Sequence, residues 1–238
     1  LSPSQFERAL ACPLRWFLTT VGADGPSNAA ASLGTLIHAV AEEHPHGTPE
    51  ELTEALEARI EELGYNLDTW AGRHSDRRAR AIVENLASYL VGVPGRVDVE
   101  QKVEAQVEGV TIRGRMDRLE YVDEGVRVTD LKTGSNPDPY RKVDENAQLA
   151  AYQLALLASG EDVAGARIAL LGTKKKPQTF DQKPLQGEAL AQWRNKVREV
   201  AESARGPYFE ARPSDAACAY CSFDRLCPAR ERGHKVVE

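Results

Sequence analysis

The chain lacks any long hydrophobic run: its apolar stretches fall well short of the roughly 18 residues that cross a bilayer, and no basic segment precedes an apolar one near its start. No membrane span or export signal is legible, and a cytoplasmic protein is the expectation. It also lacks a G-x-x-x-x-G-K-[ST] phosphate loop, so this segment is not read as an ATP-driven motor. Internal repeats and low-complexity tracts are missing, and the first residue is Leu1 rather than Met, which makes a fragment of a longer polypeptide the expectation. Positive charge is in deficit. With 30 Lys and Arg against 36 Asp and Glu, the net charge of −6 argues against a protein that coats nucleic acid by charge alone. Cysteine is scarce, at four residues in 238, and three of the four stand near the C-terminus.

What is present suits a soluble globular chain, 42% hydrophobic and 28% charged, long enough for one sizeable core or for a domain with a satellite lobe. Charge is uneven along it: basic groups cluster at residues 73–80 and 174–176, while residues 50–62 are acidic and helical in pattern. Each cluster reads either as a solvated face or as a binding patch.

Ser2-Pro3-Ser4-Gln5 has the form of a helix start, with Ser at the N-cap, Pro at the first position and Gln closing a capping box, and it predicts a helix to about Phe17. A polar, small-residue linker is expected over residues 22–31. Helical spacing returns over residues 33–40, from Thr48-Pro49 to about Leu63, and over residues 74–90. After Pro94 the period changes to two. Residues 96–107, 110–121 and 126–131, separated by Glu108-Gly109 and Asp123-Glu124-Gly125, predict a three-stranded meander. Residues 144–159 predict a helix, 166–171 a fourth strand and 187–205 a last helix.

Within this order one stretch carries chemistry, Val128-Thr129-Asp130-Leu131-Lys132-Thr133-Gly134. Side chains at i and i+2 share a strand face, so Asp130 and Lys132 stand side by side while Leu131 points into the protein, an arrangement open to an ordinary edge strand. The preceding strand has its own acid in Gly114-Arg115-Met116-Asp117. A meander can bring Asp117 and Asp130 to one end of a sheet, where their repulsion favours a cation between them. Hard oxygen ligands point to Mg²⁺ or Mn²⁺, and Lys132 is then placed to orient a water or stabilise charge on a phosphoryl oxygen.

The series Gly34-Thr35-Leu36-Ile37-His38, Gly114-Arg115-Met116-Asp117, Asp130-Leu131-Lys132 and Gln148-Leu149-Ala150-Ala151-Tyr152 resembles, in order and element type, the RecB family of the PD-(D/E)xK nuclease superfamily. The resemblance implies an α/β restriction-endonuclease-like core, a mixed central sheet flanked by helices. It implies His38, Asp117, Asp130 and the carbonyl of Leu131 as metal ligands, and Lys132 as catalytic. Gln148 and Tyr152, one turn apart on a helix face, are implied to join Asp117, Asp130 and Lys132 in the catalytic set, flanking the site and contacting DNA or holding Lys132. Glu100 or Glu104 matches a further acid of the family, and the sequence does not choose between them. Arg115, Lys174, Lys175 and Lys176 are candidate DNA contacts.

Cys12, Cys218, Cys221 and Cys227 form one upstream thiol and a C-x2-C-x5-C group. Four thiols from opposite chain ends satisfy one tetrahedral site or one cubane cluster. The spacing is similar to that of AddB and the mycobacterial AdnA and AdnB nuclease domains, which implies a structural [4Fe–4S] cluster; Zn²⁺ is the alternative, and a cytoplasmic setting disfavours disulfides. The expected organisation is one integrated domain: a helical part over residues 1–93, a nuclease core over 94–206 and an iron-sulfur staple over 207–238. The resemblance implies a metal-dependent DNA exonuclease that receives single strands from a helicase, in the same polypeptide or a partner, during break processing and recombinational repair. A CRISPR-associated RecB-like nuclease and an inactive DNA-binding module of the same fold are the alternatives.

Overall fold

The computed structural model describes residues 1–23, 33–60, 68–93, 95–219 and 221–230. The first helix, α1 (Pro3–Ala11), opens on the expected capping box: the Gln5 amide donates to Ser2 Oγ and the Gln5 side chain accepts from the Ser2 amide. It does not run on to Phe17. Pro13 drives Cys12 into an extended conformation (φ −161°, ψ 102°) and itself opens α2 (Pro13–Thr20), so the one expected helix is two, hinged at Cys12.

Helices α3 (Leu33–Glu43), α4 (Pro49–Ile60) and α5 (Trp70–Val91) follow. Most of the expected linker and the last turn of the helix expected to reach Leu63 lie outside the described residues. Helix α5 starts earlier than its apolar spacing indicated, because Thr69 caps it by accepting from the Gly72 amide.

The meander is present as β1 (Val97–Val107), β2 (Val110–Val122) and β3 (Gly125–Lys132). Glu108 and Gly109 both take positive φ between the paired Val107 and Val110, the two-residue turn that suits strand twist. Two short 3₁₀ turns, Asp138–Tyr140 and Val143–Glu145, precede α6 (Ala147–Ala158); the helix expected from Asp144 begins only where Asn146 caps it. Then come β4 (Val163–Leu170), β5 (Gln178–Gln182), α7 (Gly187–Arg205) and the short α8 (Asp215–Cys218). Strand β5 was not anticipated.

The sheet order is β1-β2-β3-β4-β5, antiparallel except for β3 and β4, which run parallel with α6 as their crossover. The strand bearing Asp130 and Lys132 is therefore central, not an edge, and both its faces are covered. One core packs α1, α6 and α7 on one side of the sheet, around Phe6, Leu149, Tyr152 and Trp193. A second packs α3, α4 and α5 on the other, and Leu131 and Ala169 point into it. Among the described residues no helix is long and apolar enough to cross a membrane.

Candidate active site

The site lies where the β2–β3 ladder stops. The pairing ends at Arg118↔Thr129. At that point the alternation of β2 reverses: Met116 enters the core on the α6 side, whereas Arg118 and Glu120, of the same parity, reach Pro45 and Tyr89 on the α5 side. Asp117 sits at the reversal. Its Oδ2 accepts from the Leu131 amide at 2.7 Å, so a side chain replaces the missing ladder bond and fixes one carboxylate oxygen.

Across the sheet the same level carries two more acids. By continuation of the register Glu100 faces Asp117 from β1 and Asp130 faces it from β3. Glu100 has φ 51°, a conformation that non-glycine residues seldom adopt and that surrounding structure must enforce. From α3, His38 Nδ1 lies 3.3 Å from Asp117 Oδ1. Among the described residues, His38, Glu100 and Asp117 form the group of potential ligands whose donor atoms all lie within 4.8 Å of one another. Together with Glu42 and Arg115 they line an open cleft of about 580 Å³. Of the two acids left open in the sequence, Glu100 lines the cleft, while Glu104 is exposed and pairs with Arg113.

Asp130 and Lys132 stand side by side as the i, i+2 spacing requires, with Nζ 2.8 Å from Oδ2. Gln148 of α6 joins them: its Nε2 donates to Asp130 Oδ1 at 2.8 Å, and its Oε1 lies 3.5 Å from Lys132 Nζ. Tyr152, one turn on, faces the same way but donates to the Arg115 carbonyl at 2.7 Å, bracing β2 rather than touching Lys132. Gly114 permits this approach, since a Cβ there would lie 2.9 Å from both Pro3 Cδ and Tyr152 Cε1. Arg115 itself pairs with Glu100 on the cleft rim.

The electrostatics reflect crowding of acids in a half-closed site. Burial pushes the Asp130 carboxyl up to about 6, against the pull of the adjacent ammonium and with Asp117 adding to the rise. Burial likewise raises Glu100, opposed by Arg115 and aided by Asp117. Lys132 is pulled down by burial, but Asp130 more than offsets this and leaves it raised and cationic. His38 is raised chiefly by its hydrogen bond to Asp117. Beyond Lys132, Glu7 of α1 is raised by burial and accepts from Asn146 Nδ2 at 3.4 Å. No sequence pattern singled Glu7 out; only the packing of α1 over α6 brings it there.

The remaining candidates lie elsewhere. Lys174, Lys175 and Lys176 are exposed on the β4–β5 connection. Cys12, Cys218, Cys221 and Cys227 are half-buried free thiols. The two chain ends that carry them are docked: the Leu14 amide donates to the Glu210 carbonyl, Arg15 Nη1 to Ala217 O at 2.6 Å, and Phe17 stacks on Phe209 at 4.1 Å.

Comparison with known proteins follows the same lines. The Gene 69 protein of Mycobacterium phage D29 is 27% identical over 267 residues, covering 95% of this chain and 96% of that protein. The Gene 69 protein of Mycobacterium phage L5 is 26% identical over 137 residues, 55% of this chain and 44% of that protein. A crystal structure from Eubacterium rectale named "Putative exonuclease" superposes with a TM-score of 0.54 at 12% identity, covering 100% of this chain and 89% of that one, which shows a shared fold. A model of the PD-(D/E)XK nuclease superfamily matches residues 1–228, and the mixed sheet with its helices on both faces is the fold that match requires; the chain belongs to the PD-(D/E)XK nuclease superfamily.

Proposed function

We propose that the protein is a Mg²⁺- or Mn²⁺-dependent deoxyribonuclease of the exonuclease type. The observation that carries this reading is the convergence of His38, Glu100 and Asp117 beside the ion-paired Asp130 and Lys132 at one cleft. One imidazole with several carboxylates is a donor set that suits a hard divalent ion, and such an ion offsets the burial that chiefly raises Glu100 and Asp130 and the repulsion from Asp117 that adds to it. The RecB resemblance adds Asp130 and the Leu131 carbonyl as further ligands, beside the close group of His38, Glu100 and Asp117.

A divalent ion held there supplies Lewis-acid polarisation of the scissile phosphate and a bound water of lowered pKa. Lys132 places its positive charge where negative charge develops on a non-bridging oxygen. Gln148 and Asp130 hold Nζ in that position. Water oxygen bonds to phosphorus, the bond to the 3′ oxygen breaks, and the products carry a 5′-phosphate and a 3′-hydroxyl. Tyr152 acts through Arg115, which it braces at the cleft rim, where a guanidinium meets a DNA phosphate. The exonuclease name of the Eubacterium rectale protein agrees with this reading.

Cys12, Cys218, Cys221 and Cys227 are assigned in the same proposal to one structural [4Fe–4S] centre. The RecB resemblance carries this assignment, and the free thiols and the docking of the two chain ends are compatible with it. The RecB resemblance adds a helicase as the source of single strands during end repair. Anaerobically purified protein is expected to carry about four irons per chain and to degrade single-stranded DNA with Mn²⁺ but not with a chelator. Zinc in place of iron would overturn the cluster, and no metal-dependent cleavage would overturn the nuclease. Cleavage that appears only with a helicase and ATP would favour the motor-linked form.

A further inference from the structure

Helix α5 carries an exposed stripe that the site does not use. Trp70 is 70% exposed and stacks on His74 one turn later, with centroids 5.3 Å apart and planes 10° from parallel. Arg77 and Arg78 continue the stripe at i+7 and i+8. Among the described residues neither has an ion-pair partner, whereas Arg80, off the stripe, is neutralised by Glu57 and Asp76.

The stripe leads to the active site. Arg78 Nη2 reaches the carbonyl of Thr133, the residue after Lys132, at 3.4 Å. Farther along α5, Asn85 Nδ2 donates to the carbonyls of Leu171 and Thr173, and the Leu171 amide donates to the Lys132 carbonyl. These bonds lay α5 across the ends of β3 and β4 and place the Lys174–Lys176 connection at the same edge. From Arg78 to Trp70 is eight residues, about 12 Å along the helix.

From this geometry we infer that the Trp70–His74–Arg77–Arg78 face of α5 is a holding ridge for single-stranded nucleic acid outside the catalytic cleft. A base stacks on the Trp70–His74 platform and the strand's phosphates pass Arg77 and Arg78. Stacked aromatics beside exposed cations match the two features a flexible polyanion offers, base faces and phosphates. A duplex hides its base faces, so the ridge favours a single strand. The inference rests on the proposed nuclease reading for its direction toward Lys132, but its test does not.

The test is equilibrium binding of labelled oligo(dT) to the whole protein in chelator, where nothing is cut. Trp70→Ala is expected to weaken binding about 5- to 150-fold, and Trp70→Phe to retain most of it. Arg77→Ala with Arg78→Ala is expected to reduce the salt slope by about 1.4. Binding within twofold of wild type in Trp70→Ala, an unchanged salt slope, or equal Trp70 dependence for a duplex of the same length would each overturn the inference. Trp70-dependent binding without cleavage in Mn²⁺ would leave the ridge standing and remove the nuclease. Cleavage with no Trp70 dependence of binding would do the reverse.

Discussion

Glu120→Gln is predicted to be among the most destabilising single changes outside the site. Glu120, 1% exposed, serves two guanidiniums on the α5 face of the sheet. It accepts from Arg127 Nε and Nη2, its cross-strand partner on β3, and from the Tyr89 hydroxyl. Arg118, fully buried, lies 3.6 Å away and otherwise donates only from Nη1 to the Pro45 carbonyl, with Nε and Nη2 unbonded. Removing the negative charge leaves a buried guanidinium without a counter-charge, which costs about 3–5 kcal/mol, a large share of a total near 5–15 kcal/mol. With a urea slope of about 2 kcal/mol/M, the midpoint should fall by roughly 2 M. Tyr89→Phe alone should cost about 1.5–3 kcal/mol, as for a bond to a charged acceptor, and far less in the Glu120→Gln background. A loss below about 1 kcal/mol for Glu120→Gln, or strict additivity of the two changes, would refute the reasoning.

Two further predictions concern the site's support and its protons. Gly114→Ala inserts a methyl 2.9 Å from Pro3 and Tyr152, so α1 or Tyr152 must shift; a cost of about 1–3 kcal/mol is expected in thermal unfolding, with cleavage reduced as the Tyr152 bond to Arg115 is lost, and an unchanged melt would contradict it. For pH, Asp130 is raised to about 6 in the folded state, so the metal-free native protein binds more protons than the unfolded chain between its ordinary value near 4 and 6, and stability falls as pH rises through that window. Asp130→Asn should flatten this slope in melts across pH. His38, raised mainly by Asp117, must lose its proton to bind a metal, so Mn²⁺ affinity should climb as pH passes its titration; affinity that is flat with pH would exclude His38 as a ligand.

Much of the architecture was legible because periodicity speaks directly to burial. The meander, the crossover pair and α7 carry clean alternation or helical spacing, and Asp130 beside Lys132 follows from the i, i+2 rule. Strand β5, Gln-Thr-Phe-Asp-Gln, was invisible because an edge strand with one partner needs little apolar patterning. The break at Cys12 was hidden because Pro13 reads as a stop for one helix and a start for the next. Glu100 could not be chosen over Glu104 by alternation, since both have the same parity; what separates them is the positive φ at Glu100, a backbone feature set by packing. The reversal of β2 at Asp117, which lets its carboxylate cap the Leu131 amide, is likewise a tertiary property.

The most direct test of the central claim is cleavage of end-labelled single-stranded DNA in Mn²⁺ by wild-type protein, Asp130→Ala and Lys132→Ala, with folding of each checked by its melt. Wild type should cut, and both variants should fold and lose cleavage by at least about a hundredfold, the scale of one lost charge-stabilising group. Folded variants that still cut at the wild-type rate would place the chemistry elsewhere and contradict the assignment.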